Sequence, residues 1–329
     1  MNRKFFYLLV LLLSSVAIGK GAVAAETAPI RFAVILSAGQ GEVPYAVQKY
    51  KLDQKYGLDL RIVDYAAPGQ QYTMLRAGAA DVSAGNFVDL LRQRKAGIGI
   101  QAFHGFKRYS NVVVTKPTSS IKTLADLRGK KLGEFGTTFL DWLILRAAAL
   151  KADKIDLEKD ANPVPGAPPL LNQLLAKDSI DAALQFAPLT LAPVLRHQQR
   201  IITDIPTVMK AAGFDADSFY LQWDITEDWQ KAHPGMINKV YAMIDEAYQK
   251  LQTDDAIWTM LAKKINILDP RLIAAYRDNA RATNNPPYRK EHLRTTQTVI
   301  DAIIAIAGDR SLGITKVDPA AFWFPAGSS

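Results

Sequence analysis

The segment DYAAPGQQYTMLRAGAADVSAGN at 64–86 returns, shifted by 100 positions, as VPGAPPLLNQLLAKDSIDAALQF at 164–186. Pro68 falls on Pro168, Leu75 on Leu175 and Asp81 on Asp181. Each copy reads as a Pro-led turn, a helix, and an aspartate that opens a short strand. The spacing is too long for a solenoid, whose repeats run about 20–50 residues. It fits two lobes of one architecture. Chance agreement between two generic helix–strand units is the competing reading. The shared Pro, Leu and Asp favour related lobes.

The residues around the first copy extend the pattern. IRFAVIL at 30–36 is a buried-strand run followed by the loop SAGQGEVPY. AVQKYKLDQKYG at 46–57 predicts a helix ended by Gly57, and LDLRIVDY at 58–65 alternates as a strand. A helix over 69–78 and a short strand over 80–86 follow. Strand–helix–strand–helix–strand is the order of a mixed or parallel sheet covered on both faces. The β-rich segments YSNVVVTK at 109–116 and DSFYLQW at 217–223 predict paired crossings between lobes. Lobe 1 then comprises 26–112 and 220–329, and lobe 2 comprises 113–219. Helical patterns at 234–252, 254–266, 269–280 and 290–308 pack back on lobe 1, with the C-terminal FWFP docking its rings there. A chain of 329 residues, 49% hydrophobic, is enough for two such cores.

The first 25 residues stand outside this scheme. NRK, the apolar run FFYLLVLLLSSVAI at 5–18 and the small-residue exit AVAA at 22–25 make a cleavable secretory signal peptide. The apolar run is short for a membrane span of ~20 residues. There is no cysteine, so neither a disulfide nor a lipid on a mature N-terminal cysteine is available, and a free protein of a Gram-negative periplasm is expected. Losing Arg3, Lys4 and Lys20 leaves 37 basic against 32 acidic residues, a change from +8 to +5. The basic residues are scattered, which argues for mild attraction of anions and against nucleic acid.

KTLADLRGKKLGEFGTTFLDW at 122–142 holds the most suggestive turn. Thr123 can cap a short helix, Gly129 can end it, and KKLGEF supplies a strand. GTT at 136–138 then precedes the amphipathic run FLDWLILRAAALKA. A helix start offers free N–H groups and a positive dipole end to an anion. Taken on residues alone, Thr137 or Thr138 reads first as an ordinary N-cap.

SSIKTLADLRGKKLGEFGTT resembles the pI-x-s-x-aDLkGKkva-x-x-Gs signature of periplasmic solute-binding proteins of type II fold. More narrowly, the chain is similar to the aliphatic sulfonate, taurine and nitrate binding proteins of ABC importers, which share a superfamily with thiamine-pyrimidine-synthase-like proteins. MLRAGAADVSAGN, LLAKDSIDAALQFAP and YRKEHLRTTQTVID resemble further motifs in the family's order, across nearly all the mature chain. Three positions depart from it. Asp178 replaces a glycine, Thr137–Thr138 replace a serine pair, and QFAP at 185–188 replaces W-D-P.

The resemblance implies two lobes that close by hinge motion on a ligand. It implies four loops around the cleft: Ser37, Gln40, Gly41 and Tyr45; Asn86 and Phe87; Gly136, Thr137, Thr138 and Phe139; and Gln185, Phe186 and Pro188. Tyr220 and Trp223 are candidates for the floor, although aromatic residues in strands are more often core. His104 and FKRY at 106–109 could meet an acid group, with a solvated edge near the hinge as the preferred reading. No H-E-x-x-H, G-x-S-x-G or phosphate-loop motif occurs, and the four histidines have no i, i+4 partner. The expectation is therefore a monomeric receptor without cofactor or metal. It delivers a small anionic organic solute to a separate permease and ATPase. A pyrimidine-like heterocycle as ligand, a secreted enzyme on the same fold and a sensor partner remain as alternatives.

Overall fold

The computed structural model describes residues 27–36, 39–65 and 69–327. The proposed signal peptide, Ser37 and Pro68 lie outside them. In chain order the elements are β1 (Ala28–Val34), α1 (Glu42–Tyr50), α2 (Leu52–Lys55), β2 (Leu58–Asp64), α3 (Gln70–Arg76), β3 (Val82–Asn86), α4 (Phe87–Lys95) and β4 (Ile100–Lys107). Then come β5 (Val112–Thr115), β6 (Lys131–Glu134), α5 (Leu140–Asp153), α6 (Leu157–Asp160), β7 (Asn162–Pro165), α7 (Pro168–Ala176), β8 (Ala182–Gln185), α8 (Leu191–Leu195), β9 (Arg200–Asp204) and α9 (Ile205–Ala211). The chain ends with β10 (Leu221–Thr226), α10 (Glu227–Ala232), α11 (Met236–Thr253), α12 (Ala256–Lys264), α13 (Pro270–Thr283) and α14 (His292–Ala307).

The strands form two five-stranded sheets, β2-β1-β3-β10-β4 and β7-β6-β8-β5-β9. In the first, β1 runs parallel to β2 and β3, and β10 is antiparallel to β3 and β4. In the second, β6 is parallel to β7 and β8, and β5 is antiparallel to β8 and β9. The sheets have one topology, and their registers agree at the 100-position shift. Phe32 faces Val82 as Leu132 faces Ala182. The repeated aspartate explains its own recurrence. Asp81 Oδ2 accepts the Arg31 amide at 2.8 Å, and Asp181 Oδ2 accepts the Lys131 amide at 2.7 Å. Each carboxylate ties the entry of a strand to the strand beside it, in the same place in both lobes. Leu75 and Leu175 are both buried beneath these turns. Asp178, where the family pattern has glycine, takes a left-handed φ of 57°. Aspartate tolerates that conformation better than most residues, and its carboxylate pairs with Lys116 at 2.6 Å.

Several local expectations are refined. The helix expected over 46–57 is two helices, because Lys51 adopts φ 53° between α1 and α2. At 124–127 the helix is a 3-10 turn. Its capping is led by Asp126, which accepts the Lys122 and Thr123 amides at 2.9 Å and the Thr123 hydroxyl at 3.0 Å. Trp223 is wholly buried in the first lobe, between Phe32 and Phe106, and its indole N–H donates to Tyr248. It is core. His104 is also buried and is not on a solvated edge: Nδ1 lies 2.9 Å from the Gly105 carbonyl and Nε2 3.1 Å from Asp245. The C-terminal rings dock as expected. Phe322 stacks on Phe219 at 4.7 Å, and the Trp323 amide donates to the Ala102 carbonyl of β4.

Two chain crossings join the sheets. Tyr109, on the first, stacks on Tyr220, on the second, at 4.4 Å, and donates to the Phe219 carbonyl. The helix expected over 290–308 does not pack back on lobe 1 as the others do: α14 packs on α5 of the second lobe, where its apolar residues Val299, Ile300 and Ile303 share one core with Leu143 and Ile144.

Candidate functional site

A cleft of about 360 Å³ opens between the two sheets. One wall carries Ile35, Gln40, Tyr65, Gly69, Gln71 and the β3–α4 junction, Ala84 to Arg92. The other carries Thr138, Phe139, Leu140 and Asp141, with Leu221 and Leu312 at the sides. Parallel strands place this opening beyond their C-terminal ends, where βα turns present backbone and helix starts.

Four of the expected residues line the cleft: Gln40, Asn86, Thr138 and Phe139. Gln40 Oε1 accepts the Ile35 amide at 2.8 Å, which leaves its amide nitrogen as a donor. Asn86 caps α4. Its Oδ1 accepts the Asp89 amide at 2.9 Å, and its Nδ2 donates to Asp89 at 2.7 Å. Phe139 is 46% exposed, a large apolar ring presented to the opening. Gly136, at φ 130°, makes the turn that places it, and a Cβ there would meet the Phe139 ring at 3.0 Å. Thr137 is exposed beside it.

The other candidates lie elsewhere. Phe87 is fully buried in the core. Gly41 is the buried N-cap of α1, and Tyr45 turns toward α12, where Lys264 sits 4.9 Å from its ring centre. Gln185 is buried and donates to the Pro168 carbonyl at 2.8 Å, while Phe186 meets Phe135 edge-to-face. Lys107 faces Glu42 and Arg108 pairs with Asp217, so the cations of FKRY are engaged with carboxylates. Tyr220 is buried and does not line the cleft, but its hydroxyl donates to Oδ1 of Asp141, which does.

The turn at 136–138 is not capped by either threonine. Phe139 is the N-cap of α5 and supplies no side-chain bond. Two of the backbone donors at this helix start are met by the chain's own carboxylates. Glu134 Oε2 accepts the Gly136 amide. Asp141, in the first turn of α5, places its carboxylate at the positive end of the helix and takes its own amide. Burial pushes the Asp141 carboxyl up to about 6, against the opposing pull of the Tyr220 hydroxyl and that amide. Burial also raises Glu134, whose Oε1 has no partner. The guanidinium lining the cleft, Arg92, is occupied: it donates to the Leu312 carbonyl at 2.6 Å, to Ser311 at 3.2 Å and to Asp89 at 3.0 Å.

Sequence reasoning missed Tyr65, Asp89, Arg92 and Asp141. Asp141 stood within the quoted GTTFLDW, and a carboxylate in a first helical turn was the available signal. Asp89, in the first turn of α4, carries the same signal, whereas Tyr65 carries none, because only the fold brings it to the opening.

A family model described as NMT1/THI5 like matches residues 54–254. The chain belongs to the NMT1/THI5-like family. Among solved structures, it is similar to the alkanesulfonate-binding protein SsuA of Xanthomonas axonopodis pv. citri bound to MOPS. The two are 18% identical, with 91% of this chain and 99% of that one covered, at a TM-score of 0.70. The periplasmic aliphatic sulphonate binding protein SsuA of Escherichia coli is 20% identical over 89% of this chain and 96% of its own, at 0.71. A putative periplasmic sulfonate-binding SsuA of Methylobacillus flagellatus is 16% identical over 91% and 92%, at 0.68. At these identities the likeness establishes the two-lobed periplasmic binding fold. No curated protein matches the chain.

Proposed function

We propose that this chain is the periplasmic substrate-binding component of an ABC importer. It captures a small organic solute in the cleft between lobe 1 (26–112 and 220–329) and lobe 2 (113–219), and delivers it to a membrane permease driven by a separate ATPase. A leader ending near residue 25 directs its export, and it acts as a monomer. The observation that carries this reading is the cleft of about 360 Å³ walled by both lobes, a volume within the usual range of small-molecule sites. Family membership and the sulfonate-binding neighbours support it. Those neighbours favour an acid group on the solute, and the amide nitrogen of Gln40 and the hydroxyls of Thr137 and Thr138 are the donors available to one. Phe139 and Tyr65 supply apolar faces for the organic part. Gly136 serves by aiming Phe139.

The test is a thermal-shift screen of the protein from Glu26 onward with sulfonates, carboxylates, nitrate and pyrimidines. A solute at about 100 times its dissociation constant stabilises the fold by roughly 2.7 kcal/mol. The expected result is a stabilising solute recovered chemically unchanged after incubation. Conversion of that solute to a product would overturn the receptor reading in favour of an enzyme.

A further inference from the structure

The charges around the cleft do not balance for a simple anion. Among the described residues that line it, the ionisable groups of ordinary charge at neutral pH are Asp89, Arg92 and Asp141. Asp89 and Arg92 form an ion pair at 3.0 Å, which balances both charges, and the same guanidinium donates through Nε to the Leu312 carbonyl and through Nη2 to the Ser311 carbonyl. Asp141 is left with a tyrosine hydroxyl and its own amide as partners, and no cation. Its position at the start of α5 fills the place where an anionic group would use the helix dipole. The neighbouring amide of Gly136 is held by Glu134, a second carboxylate, fully buried and with one oxygen lacking any partner. A sulfonate placed against this turn would meet the Asp141 carboxylate, with Glu134 buried behind the turn, and no unpaired cation among the described lining residues. A cation placed there would gain a charge-assisted hydrogen bond.

Resting on the receptor reading above, we infer that the solute carries a cationic N–H donor group, of ammonium or amidinium type, and that Asp141 receives it. Tyr220 holds the carboxylate through Oδ1. Phe139 offers its ring as a wall for the attached carbon skeleton. Of the donors named above for an acid group, Gln40 would then take it, in preference to the threonine hydroxyls that lie close to the Asp141 carboxylate in sequence. Asp141 is thus a specificity residue: it selects for a basic nitrogen and against deaminated analogues of the same size.

The inference is tested by calorimetric titration of the protein from Glu26 onward with 3-aminopropane-1-sulfonate, propane-1-sulfonate and butylamine. The amino compound is expected to bind about ten-fold or more tighter than its deaminated analogue, the order of one charge-assisted hydrogen bond. Asp141→Asn should remove that preference, and Asp141→Glu, which keeps the charge, should retain part of it. Equal or tighter binding of propane-1-sulfonate, or a preference that survives Asp141→Asn, would overturn the inference and leave the receptor reading intact. Should none of the three bind, native mass spectrometry of protein drawn from the periplasm of a producing bacterium decides. A carried solute with a basic nitrogen, lost in Asp141→Asn, supports the inference. A carried solute without one refutes it alone. No carried solute removes the receptor reading and the inference together.

Discussion

Replacing Asp141 by Asn should stabilise the unliganded protein at pH 8 and leave it unchanged at pH 4. The Asp141 carboxyl is raised from 3.8 to about 6 by burial in the cleft wall. The folded protein therefore holds this proton more tightly than the unfolded chain. Between about pH 4 and 6 it binds more protons than the unfolded state, so stability falls as pH rises through that window. Above pH 6 the full cost of a buried charge is present. At about 1.36 kcal/mol per pH unit, a shift from 3.8 to about 6 corresponds to at most about 3 kcal/mol. Asparagine carries no charge to desolvate, and its Oδ1 still accepts from Tyr220. The side chain is only partly covered, so about 1–3 kcal/mol is the expected gain, at roughly 2–4 °C of melting temperature per kcal/mol. Urea denaturation of both proteins at pH 4, 6 and 8 reads it, because the difference between them cancels every other titrating group. A variant less stable than wild type at pH 8, or a difference that does not shrink with acid, would refute the reasoning.

Two further outcomes follow from the packing. Gly85 lines the cleft directly above Asp224, and a Cβ there would lie 2.3 Å from Asp224 Oδ2 and 2.4 Å from the Tyr72 hydroxyl. Gly85→Ala should cost about 1–3 kcal/mol in urea denaturation; a neutral effect would show that β10 can shift away from β3. In lobe 2, Arg146 is buried and bonds Asp156 at 2.6 and 3.1 Å, which holds the Asp156 carboxyl below its ordinary range. Arg146→Ala should cost about 3–5 kcal/mol at pH 7 by stranding that carboxylate. The loss should lessen in acid as Asp156 takes a proton, and the same denaturation series at pH 3 checks it.

How far the sequence reveals this molecule depends on the kind of feature. The lobed architecture was legible because it is written twice. The recurrence of Asp81 at Asp181 marks a backbone tie that both sheets need, and periodicity located most strands and helices to within a few residues. The helix break at Lys51 was not legible, since lysine gives no warning of a left-handed turn. The cleft was half legible. Loops after strands pointed to Gln40, Asn86, Thr138 and Phe139, but side-chain direction at a strand end is decided by neighbours distant in sequence. Phe87 and Gln185 turn into the core for that reason. The turn at 136–138 shows the deeper limit. Free backbone donors were expected there, while the carboxylates that engage two of them, Glu134 and Asp141, flank the GTT motif; Asp141 was open to notice as a first-turn acid, but the reach of Glu134 to the Gly136 amide shows only once the backbone is folded.

The order of strands has a consequence for how the chain comes into being. Strand β10 lies between β3 and β4, yet more than a hundred residues separate it from either one. The second sheet draws all its strands from one continuous stretch, 112–204. During synthesis, then, the part made first is the part completed last. The opening segment waits with a gap at its centre until residue 226 has emerged, whereas the middle segment can close as soon as it is made. Such long-range pairing is slow to form. A chain built this way stays open over its first hundred residues for most of its synthesis, a useful condition for any polypeptide that must be threaded before it folds.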